Sequence, residues 1–345
     1  MKITEYVEKY DLQNQYDVLV NSYTLIESAW ENKINVDLLK NKKFNSIVVT
    51  GLGGSAISAD LMQNFLGNEI KIPFIVNRNY FIPSFVNENT LLVVSSYSGN
   101  TEETISVFNE ALNSKCSIVC ISTGGKVEKI ASEKNIPLVK VIPGYQPRYA
   151  LGLSFFSLLK ILQEIGLIQN HDSVVKQIIS LWKEKGIEYS KEDNVAYEYA
   201  KQLVGFIPVI YSAADSTSAV GYRLKCQFNE NSKLHAFSNF IPEMNHNEII
   251  GWESFNEKQF QAKVINIIDT SYHTQTKRRF EITSELAAKN GAEIINLESK
   301  EKEFKVRVMD LIYLGDWITY YVAVLRGFDP TEIENINILK ESLAK

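Results

Sequence analysis

The residues in this chain best suited to chemistry form the run Ser96-Tyr97-Ser98-Gly99-Asn100-Thr101, between an apolar run from Leu91 to Ser95 and an amphipathic stretch from Glu102. Three aliphatic hydroxyls, a glycine that lets the backbone come close, and the open N–H groups of a following helix can hold a phosphate group without a cation. The same run also reads as a polar strand-to-helix turn, with Asn100 or Thr101 capping the helix and Gly99 supplying an unusual φ. A second turn, Gly51-Leu52-Gly53-Gly54-Ser55-Ala56, follows the apolar run Ser46 to Thr50. Both belong on the carboxyl edge of a sheet, where α/β proteins seat their ligands, and together they suit one small anion.

The glycine turn departs from a dinucleotide fingerprint. Ala56 takes the place of its third glycine, and the second strand ends in Asn77-Arg78, where a ribose-binding acid is expected. Arg78 would suit a 2′-phosphate, so an NADP-dependent oxidoreductase stays among the alternatives. No G-x-x-x-x-G-K-[ST] run occurs, which removes the common ATP loop.

Other residues carry more than one reading. Arg148, after Pro147 at the start of a long apolar stretch, is a permanent cation that can stabilise developing negative charge, or it is a salt bridge at a helix terminus. His246 can shuttle protons near neutral pH or anchor a loop ahead of a helix from Ile249. Glu230 reads as a base or as a solvated helix end, and Glu248 is a rival base two residues from His246. Glu102 and Glu103 suit a positive helix end and are expected to point away from the anion. His171, His235 and His273 share no metal-ligand spacing and read as structural.

The elements that must position these residues follow from periodicity. From residue 45, short β-branched runs alternate with stretches of helical period, the pattern of a parallel sheet flanked by helices, so the fold class is α/β. Strands are expected near Ser46 to Thr50, Phe74 to Asn77, Leu91 to Ser95, Ser117 to Ser122 and Leu138 to Val141. Helices are expected to begin near Ser55, Thr101, Lys126 and Arg148. The first forty or so residues read as helices packed on this lobe. The alternation restarts at Phe206 to Tyr211, with strands near Val264 to Ile268 and Ala292 to Leu297, a helix from Phe304 to Arg326 and a terminal helix within Pro330 to Lys345. The expected division is 1–165 as a first lobe with leading helices, 166–194 as a helical connection and 195–345 as a second lobe. Pro208 to Ser218 echoes Val48 to Ser55, a weak sign of duplication.

Composition excludes several classes. The 345 residues are 45% apolar and carry 36 basic against 41 acidic side chains, a net charge of -5, with no basic stripe for a nucleic acid. Cys116, Cys120 and Cys226 lack paired spacing and read as buried thiols in a reducing compartment. The N-terminus lacks the apolar core of a signal peptide, and no run is read as a membrane span, so a soluble, cytoplasmic protein is expected.

Taken together, Gly53-Gly54-Ser55, the Ser96 to Thr101 loop with Glu102-Glu103-Thr104, Gln146-Pro147-Arg148, Asn229-Glu230-Asn231 and His246-Asn247-Glu248 resemble the bifunctional phosphoglucose/phosphomannose isomerase family, of the sugar isomerase (SIS) fold. The resemblance covers most of the chain, in order. It implies two SIS-type lobes, each a mainly parallel sheet flanked by helices. It also implies a homodimer that interconverts glucose 6-phosphate or mannose 6-phosphate with fructose 6-phosphate through an enediol, with no metal and no cofactor. On this resemblance Ser96, Ser98 and Thr101 would hold the phosphate, with Gly53, Gly54 and Ser55 near the sugar and Arg148 close to the reacting carbons. Glu230 would be the base, His246 from the partner subunit would act at ring opening, and Lys340 would sit beside the ring oxygen. The alternatives are a non-catalytic sugar-phosphate-binding SIS module and an aminosugar-phosphate isomerase or amidotransfer domain.

Overall fold

The computed structural model describes residues 2–257 and 261–343. In chain order the elements are α1 (Ile3–Tyr10), α2 (Gln15–Val20), α3 (Tyr23–Glu31), β1 (Ser46–Thr50), α4 (Gly53–Leu66), β2 (Phe74–Asn77), β3 (Thr90–Ser95), α5 (Glu102–Ala111), β4 (Ser117–Ser122), α6 (Gly125–Glu133), β5 (Leu138–Lys140), α7 (Leu151–Glu164) and α8 (Asp172–Tyr189). They continue as α9 (Val195–Leu203), β6 (Ile207–Ala213), α10 (Ser218–Glu230), β7 (Phe237–Ile241), β8 (Ala262–Ile268), α11 (Thr274–Lys289), β9 (Glu293–Glu298), α12 (Phe304–Leu325) and α13 (Glu334–Leu343). The chain divides into two compact units, Ser22–Ser180 and Met1–Asn21 with Leu181–Lys345, and the division falls inside α8.

The Ser22–Ser180 unit is built on a five-stranded sheet of order β2-β1-β3-β4-β5, parallel throughout. β1, β3 and β4 are buried along their whole length, which is why they read as unbroken apolar runs rather than alternating ones. Val48, Leu92, Val94 and Cys120 from the strands meet Phe108, Val127 and Ala131 from α5 and α6 in one core. On α7, Gly152 lets α3 approach: a Cβ there would lie 3.1 Å from the Leu25 Cβ.

The other unit carries a four-stranded parallel sheet of order β7-β6-β8-β9. Its central element is α12, buried from Val306 to Val324. By length and composition α12 could cross a membrane, a feature missed in the sequence. Its polar residues are instead spent inside the unit: Arg307 pairs with Asp269, Asp316 with Arg223, and Asp310 accepts from the Ser299 hydroxyl.

The expected first lobe of 1–165 differs from the Ser22–Ser180 unit at both ends; at the first, the leading helices α1 and α2 belong with α12. Trp317 meets the Tyr16 ring edge-on at 5.4 Å, the Tyr313 hydroxyl donates to the Leu19 carbonyl at 2.6 Å, and the Tyr320 hydroxyl donates to Asp11 at 2.8 Å. Periodicity announces a buried helical face but not which partner buries it. Two of the three cysteines also differ from the expectation of burial. Cys120 is buried and its thiol is pushed up to about 12 by burial, whereas Cys116 and Cys226 are half-buried.

Candidate active site

The order β2-β1-β3-β4-β5 makes the crevice between the carboxyl ends of β1 and β3 a topological switch point: the chain leaves β1 toward one side of the sheet and β3 toward the other. The two polar turns flank that crevice. Thr50 ends β1 ahead of the Gly51 to Ser55 turn, and Ser95 ends β3 ahead of the Ser96 to Thr101 loop.

The loop is a tightly constrained structure. The Ser96 and Thr101 hydroxyls lie 2.9 Å apart, the Gly99 amide donates to the Ser96 carbonyl at 3.0 Å, and the Asn100 amide reaches the Ser98 hydroxyl at 3.3 Å. Gly99 has φ +68°, and a Cβ there would lie 1.8 Å from the Gly124 carbonyl oxygen, so only glycine fits. Ser96 is buried while Ser98 is exposed. The first N–H groups of α5 lack a carbonyl one turn back and carry the positive end of the helix dipole, an arrangement that receives an anion. The charges of Glu103 and Glu102, in that same turn, act on Tyr80, whose phenol is held up by burial and then by these carboxylates.

Gly54 and Arg148 are brought together. A Cβ on Gly54 would lie 2.7 Å from the Pro147 carbonyl oxygen, so glycine here lets the Pro147–Arg148 backbone run against the start of α4. Arg148 is only 4% exposed, and its guanidinium lies 5.4 Å from the Tyr149 ring. Ser55 joins the two turns, its hydroxyl accepting from the Tyr97 amide at 3.3 Å. Gly53, Gly54, Ser55, Ser96, Ser98, Thr101 and Arg148 thus stand in one unit, on neighbouring loops at one sheet edge. A third turn, Thr123-Gly124-Gly125, supports them: the Lys126 amide donates to Asn100 Oδ1 at 3.2 Å, and Thr123 donates twice to the Tyr97 carbonyl. The Gly-Gly pair at the end of β4 was the signal that sequence reasoning passed over.

Glu230, His246 and Lys340 stand in the other unit, on three different elements. Glu230 is the last residue of α10 and is half-buried. His246 ends a 3-10 turn, Glu243–His246, and is exposed. Lys340 lies on α13, every residue of which is exposed, including Ile336, Ile338, Leu339 and Leu343. Glu248, the rival base, is already engaged: Tyr211 donates to one oxygen and Asn239 to the other, both at 2.7 Å. Both of its oxygens are therefore occupied by donors from within its own unit.

The same switch point exists in the second sheet, between β6 and β8, but it is filled. Asp269 follows β8 and receives Arg307 Nε at 2.6 Å, Arg307 Nη2 at 3.0 Å and the Ser271 amide at 2.8 Å. Burial works against the Asp269 carboxylate, yet the Arg307 and Ser271 bonds win and hold it below the usual range. Thr217, from the loop after β6, is bound to the Tyr272 hydroxyl. The carboxyl end of β8 is thus occupied by an ion pair of the unit's own side chains.

Arg78, the candidate for a 2′-phosphate, is ion-paired with Asp60. His171 pairs with Glu69 at 2.9 Å, and His273 caps α11 by accepting from the Gln275 amide; both act within the fold.

Comparison with known proteins places this architecture. Residues 192–343 match the family model of the bacterial phospho-glucose isomerase C-terminal SIS domain. Over 335 residues the chain is 35% identical to a bifunctional phosphoglucose/phosphomannose isomerase of Caldicellulosiruptor bescii, covering 96% of this chain and 99% of that one. A protein of the same name from Aquifex aeolicus is 33% identical over 339 residues, 97% of this chain and 99% of the relative. Among solved structures, a hypothetical protein from Thermus thermophilus is similar with a TM-score of 0.76 at 15% identity, covering 99% of this chain and 92% of that one, a likeness of fold.

Proposed function

We propose that this chain, which belongs to the bifunctional phosphoglucose/phosphomannose isomerase family, interconverts glucose 6-phosphate and mannose 6-phosphate with fructose 6-phosphate. The observation that carries the reading is the convergence of the Ser96 to Thr101 loop, the Gly53 to Ser55 turn and Arg148 on one sheet edge. The loop takes the 6-phosphate through hydroxyls and helix N–H groups, which leaves the other end of the sugar for chemistry.

His246 assists ring opening, giving a proton to the ring oxygen as the anomeric hydroxyl loses one, and Lys340 sits beside that oxygen. The Glu230 carboxylate then takes the proton from carbon 2 of the open aldose, and the carbonyl electrons move onto oxygen 1. Arg148 stabilises the enediolate that forms. The proton on oxygen 2 passes to oxygen 1, and return of the carbon-bound proton from Glu230 to carbon 1, with oxygen 2 becoming the carbonyl, completes the ketose. A free carboxylate is too weak a base for a sugar carbon in water, so the step depends on a cation fixed beside the developing oxyanion. A buried arginine following a proline meets that need. One base serves both epimers when rotation about the bond between carbons 2 and 3 presents either proton. The reaction as written needs no metal or redox cofactor.

The reading includes a cytoplasmic homodimer in which His246 crosses to the partner's site. What supports the dimer is apolar surface on this unit: Phe237 and Phe240 on edge strand β7 are 55% and 42% exposed, and the apolar side chains of α13 are likewise uncovered. Turnover of both aldose phosphates by EDTA-treated protein tests the activity, and sedimentation tests the dimer.

A further inference from the structure

Tyr97 lies inside the anion loop, and its hydroxyl reaches the segment that carries Arg148. Its hydroxyl donates to the Ile142 carbonyl at 3.1 Å and accepts from the Tyr145 amide at 3.1 Å. A phenol has one proton to give and lone pairs to receive, so this bridging is a full use of the group. The segment it holds is a surface loop: Ile142, Pro143 and Gly144 are exposed, and Gly144 has φ +103°. Past Tyr145 the chain turns at once, with the Tyr149 amide donating to the Gln146 carbonyl at 2.9 Å, and this turn contains Arg148. The backbone of Tyr97 is fixed just as firmly. Its amide donates to Ser55, and its carbonyl accepts the Thr123 amide at 3.0 Å and the Thr123 hydroxyl at 2.7 Å.

We propose that Tyr97 is a positioning residue that couples the phosphate end of the site to its reacting end: its hydroxyl holds the Ile142 to Arg148 segment on the anion loop and thereby sets the guanidinium. This rests on the reading of Arg148 and the loop given above. Occupation of the loop by phosphate tightens Tyr97, and Tyr97 tightens the arginine segment. Binding energy from the non-reacting phosphate is thereby spent on orientation where charge develops.

Tyr97→Phe removes the hydroxyl and keeps the ring. Hydrogen exchange of the peptide spanning residues 142–148 is expected to speed up severalfold in the variant, with the α5 peptide unchanged, because the Tyr145 amide loses its acceptor. Inorganic phosphate is expected to slow that exchange in the native protein and not in the variant. In turnover, kcat is expected to fall about tenfold with KM within about twofold, and Tyr97→Phe is expected to cost nothing further in an Arg148→Ala background. Unchanged exchange, phosphate protection that survives in the variant, or independent losses from the two substitutions would overturn the coupling. The exchange arm needs no isomerase activity, so absence of turnover in the native protein counts against the proposed function and leaves the coupling to be decided by exchange.

Discussion

Arg223 and Asp316 form a buried pair between α10 and α12, with Arg223 Nη2 2.8 Å from one carboxylate oxygen and 2.9 Å from the other. Gln227 donates to the same carboxylate at 2.7 Å, and Asn231 donates to the Thr319 hydroxyl at 3.0 Å. Residues 223, 227 and 231 are spaced one helical turn apart, so they form one stripe facing α12. This stripe fixes the rotation of α10 about its axis and therefore the direction in which Glu230, one residue before Asn231, projects.

Removing one partner of that pair strands the other charge. Asp316→Ala is expected to destabilise the protein by about 3–5 kcal/mol, while Asp316→Asn, which keeps an acceptor for Gln227, costs less. Denaturant unfolding at neutral pH measures both. Equal, small losses would show that the pair does not anchor α10.

Glu230→Gln keeps size and polarity and removes the proposed base. A loss of about a thousandfold in kcat is expected, with the thermal transition unchanged, in line with the usual contribution of a positioned general base. Retained turnover would move the role elsewhere.

Gly99→Ala places a Cβ against the Gly124 carbonyl at a φ that disfavours it, so the anion loop must open. Binding of a sugar phosphate is expected to weaken by more than about tenfold, as read by calorimetry, since the hydroxyls and N–H groups no longer converge. Undiminished affinity would place the phosphate on another loop.

The Asp269–Arg307 pair makes a signed prediction for acid. The folded carboxylate is held below its ordinary value of 3.8, so its contribution is complete above that pH and is lost as pH falls through the depressed value. The stability gap between native protein and Asp269→Asn is therefore expected to be constant near neutrality and to close in acid. A gap that widens in acid would reverse the assignment.

The proposed exchange of His246 between subunits predicts complementation. Glu230→Gln and His246→Ala are each expected to be inactive, and mixing them with subunit exchange is expected to restore about a quarter of native activity, because half of the dimers are mixed and each holds one intact site. No recovery, with subunit exchange verified, would place His246 in its own subunit's site.

What could be read ahead of the structure depended on how local each signal was. β1, β3 and β4 announce themselves because burial on both faces leaves runs such as Ser46 to Thr50. β7 passes unnoticed: its sequence Phe-Ser-Asn-Phe-Ile lies at a sheet edge with Phe237 and Phe240 exposed and Ser238 and Asn239 half-buried, so neither an apolar run nor a clean alternation appears. The turns at Gly51 and Ser96 are legible because glycines and hydroxyls cluster within six residues. Tyr97 as a bridge is not, since its partners lie 45 and 48 residues further along. The docking of residues 1–21 on α12 likewise depends on contacts about 300 residues apart, such as Tyr320 with Asp11.

A coupled assay on EDTA-treated protein, offering glucose 6-phosphate and mannose 6-phosphate separately and detecting fructose 6-phosphate, bears on the isomerase reading without further assumption. Turnover of both substrates is expected. Binding of the sugar phosphates with turnover of neither would contradict isomerase activity and leave a module that only senses its ligand.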